Sequence, residues 1–243
     1  MQAVEAIRRA QQASLVDEDG DPVVLELAAP FSDSELEAVA AEVGAPLPSE
    51  LRAVLEYSAG IEGSSLDGID FTGRSMSFED RDVFPLGLPI AADGFGNFWV
   101  LDLTPDGTET AAVFFACHDP PIVLFQSSTL GDFLEETFRM QMPPHSSLVA
   151  DVHDDRPFNV WSTNPGTIDH AAALAGDEQL SAFAAQLGDR FTFVDLRDPQ
   201  IGMGFSWGRY GPRTEVRRHG FERLFAYAPP QKKAGMLSRL LGR

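Results

Sequence analysis

The 243-residue chain has a single cysteine, Cys117, so neither an intrachain disulfide nor a cluster of thiolate metal ligands can form. No apolar run approaches the roughly 20 residues that a bilayer-spanning helix needs. The N-terminal Met1-Gln-Ala-Val-Glu-Ala-Ile-Arg-Arg lacks the charge-then-apolar order of a signal peptide. These absences lead to the expectation of a cytoplasmic protein without a membrane partner. Positive charge is also scarce, with 18 Lys and Arg against 37 Asp and Glu, for a formal net charge of −19. Such a surface repels nucleic acid and attracts basic proteins.

The charge is unevenly placed. From Met203 onward there are nine basic residues and two acidic ones, which leaves nine basic and 35 acidic residues before that point. A hydrophobic content of 44% with 23% charged residues is ordinary for a globular protein, and the length suits one large domain or a domain with an extension. There is no internal repeat.

The stretch from Ile90 to Leu103 organises the rest. Asp93-Gly-Phe-Gly-Asn97 combines residues that tolerate positive φ with two side chains able to bond the turn's own backbone, and Phe98-Trp-Val-Leu follows as a buried strand. Asp102 interrupts that apolar run, where an unpaired carboxylate is costly unless it reaches solvent or a donor. Upstream, residues 4–13 read as an amphipathic helix and 23–27 as a strand. Ser32 or Asp33 caps a helix closed by Gly44, and Pro46 and Pro48 lead into a second helix ending at Gly60. Residues 62–82 read as a short strand and a long surface loop, not as core. Thr104-Pro-Asp-Gly107 and His118-Asp-Pro-Pro121 are turns between strands at 110–117 and 122–125, and Ser127-Ser-Thr129 caps a helix with Leu130, Phe133, Leu134 and Phe138 facing inward. Beyond Pro144 the pattern changes. Residues 151–166 read as loop, 168–187 as helix broken at Gly176, 191–196, 203–208 and 221–228 as strand-like, and 236–241 as a short basic helix.

Candidate chemistry is sparse. His118-Asp119 and His153-Asp154-Asp155 hold metal-ligand types, but adjacent residues point different ways and turn structure is the ordinary explanation. Asp93-Gly-Phe-Gly-Asn97 lacks the third glycine, the Lys-Ser/Thr and the following helix of a phosphate loop. Cys117 ends an apolar run, as a buried structural thiol does. The stretch Arg209 to His219, with Trp207 and Tyr210 interleaved, is the one place that could meet nucleic acid, although a self-contact or solvated face fits an acidic body better. Nothing assigns a catalytic residue, a metal or a cofactor.

Taken together, the Gly44-Ala-Pro-Leu-Pro48 to Gly60 helix pair, the Pro85-Leu-Gly-Leu-Pro-Ile90 approach, Asp93-Gly-Phe-Gly-Asn97 before Val100-Leu-Asp102, and Leu130-Gly-Asp-Phe-Leu134 resemble the SUKH superfamily. That group links a yeast cell-wall-synthesis regulator with bacterial immunity proteins of toxin systems. The resemblance covers roughly Phe31 to Met142 and carries over Pro46, Pro48, Gly60, Asp93, Gly96, Asn97 and Asp102 as mainly structural positions. The chain departs from the pattern at Ala59-Gly-Ile-Glu-Gly63, where a tighter Asn-Gly-Gly turn is common, and its last hundred residues have no counterpart. The resemblance implies an α+β fold, an antiparallel sheet with helices packed on it. To this the sequence adds an extension of helix and strands, divided as residues 1–30, 31–143 and 144–243. It further implies a non-enzymatic module that binds a cognate toxin, often a nuclease. An acidic surface suits a basic nuclease's cleft, with Glu62, Asp67, Asp70, Glu79, Asp80 and Asp82 as expected contacts. The alternatives are a regulatory or scaffolding protein with an endogenous partner, and a metal-dependent hydrolase using His118, Asp119, His153 and Asp154.

Overall fold

In a computed structural model the described residues are 2–17, 19–208, 211 and 213–230. Helix α1 (Gln2–Gln12) is followed by three two-residue strands, β1 (Leu15–Val16), β2 (Pro22–Val23) and β3 (Glu26–Leu27). The expected strand over 23–27 is therefore split, because β2 pairs with β1 while β3 joins a different sheet beside β4 (Gly60–Glu62). Helix α2 (Asp33–Val43) starts where Glu35 reaches back to accept the Ser32 amide at 2.8 Å, and it ends at Gly44. Helix α3 (Ser49–Leu55) begins after Pro48 and stops five residues before Gly60. Beyond it the buried Ser58 hydroxyl bonds the Ala28 and Gly60 carbonyls, which commits Gly60 to strand β4 instead of a helix end.

The centre is an antiparallel meander of β5 (Gly68–Asp70), β6 (Gly87–Ala92), β7 (Phe98–Asp102), β8 (Ala112–His118) and β9 (Pro121–Ser127). Side chains alternate across it. Trp99, Leu101, Val113, Phe115, Ile122 and Leu124 face α1, α2, α3 and α4 (Leu130–Arg139). Glu50 ties this helical layer together: its buried carboxylate accepts the Leu130 and Gly131 amides at 3.1 Å each, beside the Thr129 cap of α4. Burial pushes the Glu50 pKa above the usual carboxylate range, although its amide bonds favour the anion.

Residues 151–166 are not loop. A helical turn α5 (Leu148–Ala150) passes through a π-helical turn (Asp151–Asp155) into α6 (Arg156–Thr163), and Val149, Val152 and Val160 are buried against the sheet. The chain continues through β10 (Thr167–Ile168), α7 (His170–Leu174), α8 (Glu178–Leu187), β11 (Thr192–Asp195), β12 (Gly204–Ser206), β13 (Glu215–Arg218) and β14 (Leu224–Ala228). Strand β12 pairs with β9 and so completes the order β12-β9-β8-β7-β6-β5-β4-β3. The other four form a second antiparallel sheet, β10-β11-β14-β13. Its Val194, Val216, Phe225 and Tyr227 pack on Val100, Phe114, Val123 and Phe125 of the first sheet, and its Phe193, Leu224 and Ala226 pack on α7 and α8. The layers therefore run helices, sheet, sheet, helices. The 62–82 stretch also contributes core, since Leu66, Ile69, Phe71 and Phe78 are buried.

Asp102, the last residue of β7, finds its donor in the extension. Arg218 of β13 grips both carboxylate oxygens at 2.7 and 2.9 Å, and Arg223 adds a bond at 3.0 Å. Arg218 also donates to the carbonyls of Val83, Phe221 and Glu222, and its side chain is 2% exposed. Trp207 is likewise buried, and Arg217 pairs with Glu215 at 2.6 Å. Much of the basic, aromatic stretch thus serves as self-contact. Arg209, Tyr210 and the basic helix expected at 236–241 lie outside the described residues.

Candidate functional site

The turn joining β6 to β7 is built on the Asp93 carboxylate. Oδ1 accepts the Phe95 and Asn97 amides at 2.8 and 3.1 Å, and Oδ2 accepts the Asn97 side-chain amide at 2.6 Å. Asn97 in turn accepts from the His118 amide at 3.1 Å and lies 3.0 Å from the His118 ring nitrogen Nδ1. Gly96, at φ +89°, is required twice over. Its backbone is left-handed, and a Cβ would come within 3.1 Å of the His118 ring.

His153 reaches this turn from the π-helical turn. Its Nε2 is 3.1 Å from Asp93 Oδ2 and its Nδ1 is 2.6 Å from Asp154 Oδ1, while the ring stacks on Trp99 and meets Phe115 edge-on. Gln126 fastens the same helical stretch by accepting from the Trp99 indole at 3.2 Å and donating to the Leu148 carbonyl at 3.1 Å. Burial acts to lower the His153 pKa, but the hydrogen bonds to Asp154 and Asp93 outweigh it and hold the ring above the ordinary histidine value. Burial likewise acts to raise Asp93, and the bonds from Asn97, His153 and the turn amides hold it below the usual range.

A group bound more tightly by protons in the folded state stabilises it below the unfolded pKa and loses that contribution as pH rises through the folded value. The stability advantage of the wild type over His153→Gln is therefore expected to be full below the ordinary histidine value of about 6.5 and to shrink as pH rises above it. Urea titrations at several pH values measure it, and parallel curves for the two proteins would show that the ring does not titrate between its carboxylates.

The residues of the metal reading do not converge. His118 serves Asn97, and His153 serves Asp93 and Asp154. Among the described residues no group of three or more His, Cys, Asp or Glu is spaced to hold a metal ion. Cys117 is buried, and burial pushes its thiol pKa up, away from a nucleophile's.

The six acidic candidates divide between places. Glu62, Asp67 and Asp70 line one open groove of about 760 Å³ together with Glu26, and Glu79 lines a second of about 660 Å³ together with Glu42 and Arg74. Asp80 and Asp82 belong to the turn before Val83, where burial and the neighbouring Glu79 and Asp82 charges push the Asp80 carboxyl up. Asp70 is committed internally, accepting the Thr72 and Ser75 amides at 2.8 and 2.9 Å. Pro46 and Pro48 set α3 against the 108–109 loop, where Ser49 and Glu50 amides bond the carbonyls of Thr108 and Glu109.

Sequence reasoning missed the exposed aromatics Phe95, Phe158 and Trp161, the last two because 151–166 reads as loop. The spacing of Val149, Val152 and Val160, with Pro157 near the start of α6, is the signal that could have located that helix.

Among the described residues no helix is long and apolar enough to cross a membrane. No curated protein and no solved structure matched the chain. Residues 30–136, which hold α2, α3, the meander, the Asp93 turn and most of α4, match the SMI1 / KNR4 family (SUKH-1), and this part of the chain belongs to the SUKH superfamily.

Proposed function

We propose that the chain is a non-enzymatic protein-binding module, an immunity protein that neutralises a basic toxin. The observation that carries this reading is the family match combined with a −19 chain whose acidic residues line open grooves at the sheet edge. Carboxylates presented there would meet the cationic cleft of a nuclease and speed encounter by electrostatic steering. Glu62, Asp67, Glu79, Asp80 and Asp82 are the proposed contacts, whereas Asp70 shapes the groove through its own turn.

The experiment is neutralisation of a toxin encoded beside this chain's gene, with binding followed by stopped-flow mixing. Replacing the five contacts by their amides is expected to slow association at low salt by at least about 10-fold. An unchanged association rate would remove these residues from the interface. A chain that protects against no such toxin, yet binds an endogenous protein, would support the regulatory reading instead.

A further inference from the structure

Among the described residues the most exposed large apolar side chain stands on the Asp93 turn. Phe95, at its tip, is 80% exposed although the turn beneath it is fixed by four hydrogen bonds to Asp93. Through His153 that same carboxylate is joined to Asp154; one helical turn beyond Asp154 stands Phe158, 73% exposed, and about one turn further Trp161, 39% exposed, with ring centroids 5.9 Å apart. The π-helical turn is what turns His153 and Val152 inward and leaves this face outward; such turns recur at functional sites. On the other side, Asp67 lies under Gly94, where a Cβ would come within 3.2 Å of its carboxyl carbon, so the face is continuous with the acidic groove.

We infer that Phe95, Phe158 and Trp161 are the apolar anchors of a docking face for a basic, arginine- or lysine-bearing protein surface, with Asp151, Asp154 and Asp155 as its charged border. Exposed aromatics on a rigid support are the residue type that dominates interface energetics, and their ring faces attract guanidinium and ammonium groups. Charge complementarity selects the occupant. Asp151 and Asp155 are exposed and make no ion pair among the described residues, and Arg156, the cation of this stretch, lies against Gly202. A second copy meeting the same face symmetrically would bring two such carboxylate sets together. This inference rests on the proposed binding of a basic protein and adds where that protein is held.

The test uses the full chain and the basic protein that co-purifies with it, each then purified alone and titrated by calorimetry. Phe158→Ala/Trp161→Ala is expected to weaken binding by at least about 30-fold, and Phe95→Ala by about 10-fold, with the unfolding curve of Phe95→Ala unchanged because its side chain is 80% exposed. Asp151→Asn/Asp155→Asn should flatten the dependence of affinity on salt. If the wild type binds the basic protein and Phe158→Ala/Trp161→Ala binds within threefold of it, the docking face is elsewhere and the binding reading survives. If the wild type binds no basic protein, both fail together. If the wild type is a dimer that Phe158→Ala/Trp161→Ala dissociates, a second copy occupies the face and the inference is overturned.

Discussion

Asp102→Ala is expected to lower the free energy of unfolding by about 3–5 kcal/mol, which for a chain of this size moves the melting midpoint by on the order of 10 °C. The carboxylate and the Arg218 side chain are each 2% exposed, so removing the acid leaves a guanidinium without its counterion between two sheets. Arg218 cannot swing out to water without abandoning the Val83, Phe221 and Glu222 carbonyls and its place over the Phe225 ring. Arg218→Met should be milder, because Arg223 still bonds Asp102. The double variant Asp102→Ala/Arg218→Met should recover part of the loss, since the buried Arg218 charge is gone along with its counterion, but not all of it, since three carbonyls lose their donor. Urea unfolding of the four proteins measures the cycle. A loss under about 1 kcal/mol for Asp102→Ala, the size of an exposed ion pair, would mean that water reaches the pair.

Gly204→Ala is expected to detach β12 from β9. A Cβ at this position would overlap the Val123 carbonyl oxygen and sit 2.8 Å from its carbon and 2.9 Å from the Leu124 Cα. Every one of those atoms is backbone, so no rotamer change relieves the clash and the strand itself must move. Phe205 would leave its stack with Phe225 and Tyr227, and Ser206 would lose the Asn164 amide, which bonds both its N–H and its carbonyl. At least about 3 kcal/mol of stability should go, together with hydrogen-exchange protection at the Phe125 and Ser206 amides. Gly68→Ala, where nothing lies within 4 Å of a Cβ, is the matched control and should change stability by no more than about 0.5 kcal/mol. Retained protection in Gly204→Ala would mean that β12 does not pair as closely as this geometry requires.

Features set by near neighbours along the chain were legible without a structure. The Ser32–Glu35 helix start, the Thr129 cap and the Asp93–Asn97 turn each depend on side chains bonding backbone within about five residues, and the meander strands show in their own apolar, β-branched and aromatic runs. The order of those pieces was enough to indicate the family, and the composition was enough to show an acidic surface. Only three valines mark the inner face from Val149 to Val160, while acids and exposed aromatics fill the outer face, so that helix resembled a loop. The sequence required that Asp102 find a donor or solvent, but its partner lies 116 residues away and was settled by how two sheets stack. The same holds for the candidate site. That Phe95 and Phe158 are aromatic was plain, but whether an aromatic is core or surface depends on which face the fold leaves uncovered, and long-range packing decides that.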